Sequence, residues 1–413
     1  MNICKKAYCR TYQKVMYCAE YFMPWRKAEV IEGAHCLLQQ LPDKLLASKS
    51  KGVLVVTDKF LSTNILPPLL AAFQEKGVKY SLYDEVVPNP TIACIEDGLK
   101  LYKEGGCDTV VAVGGGSPMD CAKIIAARAV CPNKPVEKMK GLLKIHKKLP
   151  PFYAVPTTAG TGSEVTLAAV ISNPDKNEKY PINDPSLIPG YVILDPTLTV
   201  GLPKPVTSTT GMDAMTHAVE AYIGGSNTRH PKEDAQTAVK LIFDNILTAY
   251  NEPTDLKARG NMQFAAMVAG RAFTRAYVGY VHAIGHALGA FYHIPHGLAM
   301  SIILPTMLKA YGKSAHKKLA ELADLVGIQG KDRAEKANNF IAAIEDLNAK
   351  MDIPQKIGGK FAINEKDIPD IVLRADKEAN PLYPCPTLFD RKELAAIVYE
   401  LMEEVKPQEE AAE

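Results

Sequence analysis

The sequence predicts an α/β domain with a parallel sheet, followed by an all-α domain, because two patterns succeed one another along the chain. From about residue 50, short runs of β-branched residues alternate with amphipathic stretches of helical periodicity. After about residue 206, long segments rich in Ala, Leu and Met take over, with hardly any strand-like run. A chain of 413 residues is long enough to form two domains with separate hydrophobic cores.

The first domain consists of successive strand and helix units. Each predicted strand is a short apolar run rich in Val, Ile and Tyr, and the first two predicted helices each end at a glycine. Strands that alternate with helices in this way form a parallel, doubly wound, Rossmann-like sheet. The predicted strands are residues 51–58, 78–86, 107–117, 152–158 and 191–196, and the predicted helices are residues 63–77 and 91–106.

The second domain consists of helices. Apolar residues recur at spacings of three and four in the segments 233–250, 316–327 and 332–351. We therefore divide the chain into a leader, an α/β domain, a helical domain and a short acidic tail. Their predicted bounds are 1–25, 26–205, 206–405 and 406–413.

Composition and charge narrow the class of protein. The formal net charge is only +2 and no basic block occurs, so the chain lacks the electrostatic footprint of proteins that bind nucleic acid or an anionic membrane. The sequence has no long apolar run that predicts a membrane span or a signal peptide. The nine cysteines are scattered without a CxxC pair, which argues against a disulfide framework and a zinc knuckle. We expect a cytoplasmic protein whose partners are small molecules.

The leader has the periodicity of an amphipathic helix. Such a helix docks on a shell, on a partner or on the body of its own chain. We favour the last of these, because apolar side chains of a globular protein are most often buried within it. The apolar residues at helical spacing are Tyr8, Tyr12, Val15, Met16, Ala19 and Phe22.

A glycine-rich turn, GGGSPMDCAK, lies at residues 114–123 between a predicted strand and a predicted helix. The pattern places Ser117 as the N-cap of that helix and Pro118 as its first residue. Glycines allow a phosphate to approach the backbone closely, and a helix N-terminus favours an anion, so the turn fits a dinucleotide diphosphate. A tight turn without a ligand is the alternative, since the GxGxxG spacing is absent.

Two further polar features follow predicted strands of the same sheet. Asp58 ends the strand at 51–58, where a carboxylate accepts hydrogen bonds from an adenosine ribose and repels a 2′-phosphate. This favours NAD over NADP, and an ordinary N-cap or turn aspartate is the alternative. The loop PTTAGTGSEVT, residues 156–166, is rich in hydroxyls and small residues. It either surrounds the middle of a dinucleotide or forms a hydrogen-bonded surface turn.

Polar pairs at helical spacing mark the second domain. Four of the nine histidines lie in the segment VHAIGHALGAFYHIPHG, where His282 and His286 are four residues apart. Asp213 and His217 have the same spacing, which puts each pair on one face of its helix. Together with His296 they offer a mixed set of oxygen and nitrogen donors that suits Fe²⁺ or Zn²⁺. The spacing leaves open which four of the five bind a metal, and a lone helical histidine is more often structural.

In their order along the chain, these motifs resemble those of the iron-dependent (group III) alcohol dehydrogenases, the family of lactaldehyde reductase and propanediol dehydrogenases. The similarity runs from about residue 26 to residue 405, and the two histidine motifs in this order are highly specific. It implies an NAD-binding α/β domain and a helical metal-binding domain, an architecture shared with dehydroquinate synthase. The motifs that carry the resemblance are VVPNPTI at 86–92, GGGSPMDCAK at 114–123, PTTAGTGSEVT at 156–166, GMDAMTHAVEAY at 211–222 and VHAIGHALGAFYHIPHG at 281–297.

The resemblance also implies roles for individual residues. His286 matches a histidine that lies near the substrate and outside the metal ligands, and we expect it to carry a proton. His293 matches no required histidine and is expected to be structural. The implied metal ligands are Asp213, His217, His282 and His296. The implied cofactor contacts are Asp58, Asn89, Gly115, Gly116, Ser117, Asp120, Thr157, Thr158 and Lys179.

At two places the chain departs from the family pattern. The segment EGAHCLLQQLP has His35 and Cys36 where members show a glycine pair with small residues between, which puts the local contact there in doubt. The leader is also longer than the minimal family start. Neither departure touches the implied metal ligands.

The implied activity is hydride transfer between NAD(H) and a small primary alcohol or aldehyde, such as a short alcohol, a diol or a lactaldehyde-like compound, with a metal that polarises the substrate oxygen. A lyase of the dehydroquinate synthase type needs several basic residues around a phosphorylated substrate, and the helical motifs here are mostly apolar and small. A non-catalytic scaffold does not account for five polar groups at helical spacing, which are costly to bury. We expect Fe²⁺, with Zn²⁺ as the alternative, and a homodimer or larger homo-oligomer.

Overall fold

The structure, a computed structural model, describes residues 1–23, 25–176 and 178–403. The predicted acidic tail, residues 406–413, lies outside the described residues. The chain forms two compact units. One comprises residues 19–222 and 227–276, and the other comprises residues 1–18, 223–226 and those from Tyr277 onward. The domain bounds drawn from the sequence pattern stay predictions.

The strands of the described chain form two sheets, both within the first unit. The larger sheet has the strand order β1-β9-β6-β4-β2-β3, and all of its strand pairs are parallel. The strands are β1 Glu29–Glu32, β2 Val53–Val56, β3 Tyr80–Tyr83, β4 Thr109–Gly114, β5 Gly141–Leu142, β6 Phe152–Pro156, β7 Ala168–Asn173, β8 Glu178–Asn183 and β9 Tyr191–Leu194.

The helices include three long ones that complete the first unit and a further set in the second. Helices α7, α8 and α9 follow the sheet, as the change of pattern near residue 206 predicts. None of the helices in the described part of the chain is long and apolar enough to cross a membrane. The helices are α1 Ile3–Tyr21, α2 Cys36–Ala47, α3 Lys59–Asn64, α4 Pro67–Glu75, α5 Ile92–Glu104, α6 Gly116–Val130, α7 Lys204–Ile223, α8 Arg229–Asn251, α9 Leu256–Ala276, α10 Tyr280–Tyr292, α11 His296–Tyr311, α12 Lys313–Leu325, α13 Arg333–Lys350, α14 Ile368–Ala379 and α15 Arg391–Leu401.

The central strands β2, β4 and β6 of the parallel sheet are buried along their whole length, which explains why they are almost continuous apolar runs. Along β2, Leu54 and Val56 belong to one hydrophobic core, whereas Val53 and Val55 belong to the other. Successive side chains of a strand point to opposite faces, so one core lies on each side of the sheet. The predicted α/β domain with a parallel sheet and the helices that follow it are confirmed.

The strand order creates a switch point between β2 and β4. The chain runs from β2 to β3 on one side of β2, and then crosses to β4 on the other side. The connections after β2 and β4 therefore leave in opposite directions and open a crevice at the carboxyl ends of the two strands. Ligands of doubly wound sheets bind at such crevices.

One predicted helix is interrupted. The sequence pattern predicts a single helix over residues 63–77, whereas the structure has two, α3 and α4. Asp58 caps α3 through its side chain, which starts that helix earlier than predicted. Pro67 then begins α4, because proline lacks the N–H that would continue the bonds of α3 and is accepted in the first turn of a helix.

The smaller sheet was not predicted. In it β7 pairs antiparallel with β8, and β8 pairs parallel with β5. Buried and half-buried residues alternate along β7, with Ala169, Ile171 and Asn173 buried. That period of two is typical of a strand with one buried face, and it is the signal by which the sequence could have revealed this sheet.

The leader forms helix α1, which docks on its own chain as favoured from the sequence. The contacts come from polar side chains: Lys5 binds Asp376, and Arg10 and Gln13 bind backbone carbonyls of residues 381–386. The expectation that the apolar stripe makes the contact is wrong for Tyr8, Val15 and Phe22, which are exposed. Part-buried hydrogen bonds of these polar side chains, together with the buried Cys9, join this helix to the rest of its unit.

Candidate active site

Helix α7 carries Asp213 and His217 one turn apart, as their spacing predicts. Nε2 of His217 lies 4.0 Å from Oδ1 of Asp213, and both side chains are buried. The ring of His217 stacks on Phe273 of α9, with ring centroids 4.2 Å apart and 19° between the planes. Over residues 211–222 every position of α7 is buried, so its polar side chains lie in the protein interior. Because ionisable groups are costly to bury, their concentration here indicates a functional site.

Three further histidines lie on α10 and α11. His282 and His286 are one turn apart on α10, and His296 is the first residue of α11. Helix α10 ends at His293, which is exposed, has the left-handed φ of 54° and donates its N–H to the carbonyl of Gly289. The turn after it brings the ring of His296 parallel to that of His286, with centroids 5.2 Å apart, and within 5.6 Å of the His282 centroid.

Four of the five candidate metal ligands converge. One ligand atom from each of Asp213, His217, His282 and His296 lies within 4.8 Å of the others, and all but His296 are buried. The spacing of the sequence left open which four of the five bind; the convergent set is the one implied by the family resemblance, without His286.

This donor set fits a divalent transition metal. One carboxylate oxygen and three imidazole nitrogens are ligands that both Fe²⁺ and Zn²⁺ accept. Metal–ligand bonds of about 2.1 Å place two ligand atoms at most about 4.2 Å apart, so side chains at the observed distances need to draw in by less than about 1 Å.

A contact that sequence reasoning missed involves His286. Its Nδ1 lies 2.7 Å from Oε1 of Glu378, and the hydroxyl of Tyr383 donates to the same oxygen at 2.9 Å. Burial raises the pKa of Glu378, but the charge and hydrogen bond of His286 and the hydrogen bond of Tyr383 outweigh it and hold that pKa below its ordinary value. Glu378 lies 92 residues after His286, so no local spacing signals the pair.

The glycine turn lies at the carboxyl end of β4. Gly114 has a φ of 151°, and a Cβ atom there would lie 2.5 Å from Cγ of Pro118, so only glycine fits. Helix α6 begins at Gly116 with Gly115 as its N-cap, and the assignment of Ser117 as N-cap and Pro118 as first residue was therefore wrong by two positions. Gly115 provides no side-chain cap, which leaves the first N–H groups of α6 directed at whatever lies beyond the turn.

Asp58 lies on the other side of the switch point, after β2. Its Oδ1 accepts a hydrogen bond of 2.9 Å from the backbone N–H of Leu61, so Asp58 is the N-cap of α3. This is the alternative weighed from the sequence. A carboxylate has a second oxygen and further lone pairs, so a capping aspartate retains acceptors for a ligand. A ribose contact of Asp58 stays a prediction.

The loop at 156–166 packs against the glycine turn. The N–H of Thr157 donates to the carbonyl of Gly114 at 3.1 Å, and a Cβ atom on Gly115 would lie 3.4 Å from the hydroxyl of Thr158. Most residues of the loop are buried, so the alternative of a surface turn is wrong.

Asn89 and Lys179 come together beside the same turn. The backbone N–H of Asn89 donates to the hydroxyl of Ser117 at 3.3 Å, and Nζ of Lys179 donates to Oδ1 of Asn89 at 2.6 Å. Asn89 has a φ of 57°, a conformation that asparagine tolerates better than most residues. Ser117, Asn89 and Lys179 are thus linked in one polar chain.

Asp120 uses both carboxylate oxygens within the fold. Oδ1 accepts from the hydroxyl of Ser163 at 2.8 Å and Oδ2 accepts from the N–H of Val170 at 2.9 Å. One turn later, the amine of Lys123 is fully buried and donates to Ser163 and to oxygens of Thr166 and Ala168. Burial raises the pKa of Asp120 and lowers that of Lys123 to about 8. The pair joins α6 to the loop at 156–166.

His35 and Cys36 replace the glycine pair of the family pattern, and Asp195 accepts hydrogen bonds from the backbone at this point. The backbone N–H groups of His35 and Leu37 donate to the carboxylate of Asp195 at 3.0 and 3.1 Å. His35 has the left-handed φ of 61°, which a glycine adopts more easily, and Cys36 is buried with its thiol 3.5 Å from the carbonyl of Leu194. The start of α2 is therefore held without the glycine pair.

Comparisons with known proteins agree with these features. Residues 28–196 match the family described as iron-containing alcohol dehydrogenase, and residues 207–402 match the C-terminal part of the Fe-containing alcohol dehydrogenase family. The chain is 38% identical over 354 residues to 1,3-propanediol dehydrogenase of Klebsiella pneumoniae, which covers 84% of this chain and 90% of that protein.

Solved structures have the same fold. A crystal structure of 1,3-propanediol oxidoreductase has a TM-score of 0.88 and 34% identity, and covers 92% of this chain and 100% of that one. A sulfoacetaldehyde reductase of Bifidobacterium kashiwanohense in complex with NAD⁺ has a TM-score of 0.80 and 28% identity, and covers 92% and 99%.

The family matches span both halves of the chain and include the glycine turn and both histidine motifs. The chain therefore belongs to the iron-containing alcohol dehydrogenase family, and it is an NAD-dependent oxidoreductase of small alcohols and aldehydes.

Proposed function

We propose that the chain binds one Fe²⁺ ion through Asp213, His217, His282 and His296. The observation that carries the proposal is the convergence of these four ligand atoms within 4.8 Å. Burial of a carboxylate costs solvation free energy, and a bound cation compensates for that cost. Zn²⁺ accepts the same donors, so the choice of Fe²⁺ follows the family and requires metal analysis.

NAD(H) is proposed to bind at the carboxyl edge of the parallel sheet, at the switch point between β2 and β4. The N-terminus of α6 would hold the diphosphate, because Gly115 and Gly116 allow close approach and the N–H groups favour an anion. Both carboxylate oxygens of Asp120 accept hydrogen bonds from within the fold, from Ser163 and Val170, and these bonds stabilise the first turns of α6. The proposed contacts are Asp58, Asn89, Gly115, Gly116, Ser117, Thr157, Thr158 and Lys179, with Asp120 beneath them.

The choice of NAD over NADP is assigned to Asp58. Asp58 follows β2, the strand that pairs with β4, so it lies at the carboxyl end of the strand next to the one that leads into the glycine turn. A negative side chain there accepts hydrogen bonds from ribose hydroxyls and repels a 2′-phosphate.

The chemistry supplied by a divalent cation in this site is polarisation of the substrate oxygen, and that supplied by NAD(H) is acceptance or donation of the hydride. The residues of the chain would hold the metal ion and NAD(H), and one of them would move the proton. His286 is assigned as the catalytic residue that moves a proton between the substrate oxygen and solvent at Nε2, while Nδ1 contacts Glu378. Its side chain is 39% exposed, so it reaches solvent.

The proposed substrates are short primary alcohols, diols and lactaldehyde-like compounds and their aldehydes. The support is the similarity to proteins that carry 1,3-propanediol in their names. We further propose a cytoplasmic enzyme that forms a homodimer or a larger homo-oligomer. Cofactor binding is assigned to residues 26–205 and metal binding to residues 206–405.

The test is a combined metal and activity measurement. The full chain is purified without oxygen and loaded with Fe²⁺ or Zn²⁺, and bound metal is counted by elemental analysis. Oxidation of NADH is followed at about 340 nm with a panel of short aldehydes, since nicotinamide cofactors report turnover directly. We expect one metal ion per chain and turnover that requires it. A chain that turns over at full rate without metal contradicts the proposal.

A further inference from the structure

We propose that Glu378 is a positioning residue for His286, and that helix α1 keeps Glu378 in place through the loop that follows it, residues 380–386. The inference rests on the proposed function only in taking His286 as the residue that moves the proton. It gives the leader a role in the arrangement of the active site.

The contact between His286 and Glu378 sets both the rotation and the tautomer of the imidazole. A carboxylate only accepts hydrogen bonds, so the ring nitrogen that faces it carries the hydrogen. With Nδ1 held 2.7 Å from Oε1 of Glu378, the neutral ring has its lone pair on Nε2. The same ring lies parallel to that of His296, so its rotation is defined beside a proposed metal ligand.

Glu378 is itself held by Tyr383. The phenol donates a hydrogen bond of 2.9 Å to the oxygen that contacts His286. Glu378 is near the end of α14, and its side chain is 32% exposed, so without a second contact it has rotational freedom. Tyr383 removes that freedom only if its own backbone is fixed.

Helix α1 fixes the backbone of the loop at 380–386. Nε2 of Gln13, a buried residue, donates to the carbonyls of Pro381 and Tyr383 at 3.0 and 2.8 Å. The guanidinium of Arg10 donates to the carbonyls of Cys385 and Pro386 at 2.8 and 3.0 Å.

Arg10 and Gln13 of α1 also contact each other, and Lys5 of the same helix contacts α14. Arg10 donates to Oε1 of Gln13 at 2.9 Å, so the amide of Gln13 is oriented toward the loop. Lys5 binds Asp376 at 3.0 Å, two residues before Glu378 on α14. Helix α1 therefore holds both the helix that carries Glu378 and the loop that carries Tyr383.

The first experiment examines Glu378 in the zinc-loaded full chain with ¹⁵N-labelled histidine. Long-range ¹H–¹⁵N spectra report the tautomer of His286, assigned with the variant His286→Asn. We expect the Nδ1–H form in the native chain and a mixture of tautomers in Glu378→Ala. The value of kcat is expected to fall about 10- to 100-fold in Glu378→Ala, with KM for NADH unchanged, as for residues that orient an active-site imidazole.

Two milder variants separate orientation from folding. Glu378→Gln keeps an oxygen that accepts from Nδ1–H, so it should recover most of the kcat lost in Glu378→Ala. Tyr383→Phe removes only the hydroxyl that holds Glu378, and it should give an intermediate mixture of tautomers. If Glu378→Ala and Tyr383→Phe both leave the tautomer and kcat as in the native chain, the positioning role is wrong.

The second experiment examines α1. The double variant Arg10→Ala/Gln13→Ala removes the hydrogen bonds from α1 to the carbonyls of the loop. Val15→Ser, on the exposed face of the same helix, is the matched control. We expect faster amide hydrogen exchange in residues 380–386 and a shift of the His286 tautomer in the double variant, and neither change in Val15→Ser. An unchanged tautomer in the double variant would overturn the role of α1.

The tautomer of His286 and the amide hydrogen exchange are independent of the proposed activity, whereas kcat depends on it. A native chain that shows the Nδ1–H tautomer and the expected response to Glu378→Ala, but no turnover of any aldehyde with NADH, contradicts the proposed function and leaves the positioning of His286 standing. Turnover with metal and NADH, together with an unaffected tautomer in every variant, contradicts the positioning alone.

Discussion

Nε2 of His217 lies 4.0 Å from Oδ1 of Asp213, one helical turn away on α7. This distance is too long for a hydrogen bond between the two groups, and it is close to the separation of two ligands that share one metal ion. Both side chains are buried, so neither group is stabilised by bulk water.

The first prediction concerns the metal ligands. Replacing His282 by Ala removes one of four ligand atoms, and we expect the variant to lose the bound metal and turnover together. His293→Asn is the matched control, because His293 lies in the same segment, is exposed and is not part of the convergent set. Elemental analysis and aldehyde reduction are measured on both variants. Full activity of His282→Ala without metal is the result that refutes the ligand assignment.

The second prediction concerns cofactor choice at Asp58. Asp58→Asn retains an oxygen that caps α3 but removes the negative charge, so the ratio of kcat/KM for NADP to that for NAD should rise by about tenfold, or roughly 1.4 kcal/mol. Unfolding free energy should stay within about 0.5 kcal/mol, whereas Asp58→Ala, which loses the cap, should cost about 1 kcal/mol. An unchanged cofactor ratio in Asp58→Asn places the specificity elsewhere.

The third prediction concerns the buried amine of Lys123. Lys123→Met leaves oxygens of Ser163, Thr166 and Ala168 without their donor, and we expect a loss of about 1 to 3 kcal/mol in unfolding free energy at neutral pH. Loosening of the loop at 156–166 should also raise KM for NAD. Urea denaturation and steady-state kinetics measure the two effects. Lys240→Met, an exposed lysine on α8, serves as the control.

The same amine predicts a pH dependence. Burial lowers the pKa of Lys123 to about 8, while the unfolded chain keeps the ordinary value of 10.5. Between these values the unfolded state binds more protons, so the contribution of this group to stability rises with pH through that window. The native chain should therefore gain stability relative to Lys123→Met between pH 8 and pH 10. Parallel curves for the two proteins would contradict the assignment.

The fourth prediction concerns Asp376, which ties α1 to α14. Burial raises the pKa of its carboxyl, but hydrogen bonds from Asn380, Arg391 and Lys5 outweigh that effect and hold the pKa below its ordinary 3.8. The folded state thus favours the ionised form, so this stability is fully present above pH 3.8 and is lost as the pH falls through the lowered pKa.

Asp376→Asn is the variant that tests this acid dependence. It should cost about 1 to 3 kcal/mol at neutral pH and reduce the loss of stability under acid. Asp346→Asn, in an exposed pair with Lys350, should change stability by less than about 0.5 kcal/mol. Denaturation curves at several pH values compare the three proteins, and an unchanged acid midpoint in Asp376→Asn would argue against a lowered pKa.

Local patterns predicted the parts of this protein that depend on neighbouring residues. The five strands read from apolar runs are all present in the parallel sheet, and the central ones, β2, β4 and β6, are buried along their whole length, which requires mostly apolar residues. The four-residue spacings of Asp213 with His217 and of His282 with His286 placed each pair on one helical face. These features need no knowledge of the rest of the chain.

Other parts depended on competition between local signals. The first turn of α6 starts at Gly116 and not after Ser117, although serine is the better N-cap by propensity. The left-handed φ of Gly114, and the lack of space for a Cβ atom beside Pro118, require glycine there and set the path of the turn. The alternation along β7 was present in the sequence but is short, and its partner strand β8 includes Pro181, which obscures the pattern.

By itself, the sequence determined the alternation of five strands with helices, the glycine turn after β4 and the residue types able to bind a metal and a dinucleotide, because each depends on residues a few positions apart. Only the tertiary structure decided that His286 meets Glu378, that a polar face of α1 makes its contacts, and that Asp213, His217, His282 and His296 form one cluster. Those contacts join residues far apart in the chain, and their selection depends on how whole helices pack, which no local pattern specifies.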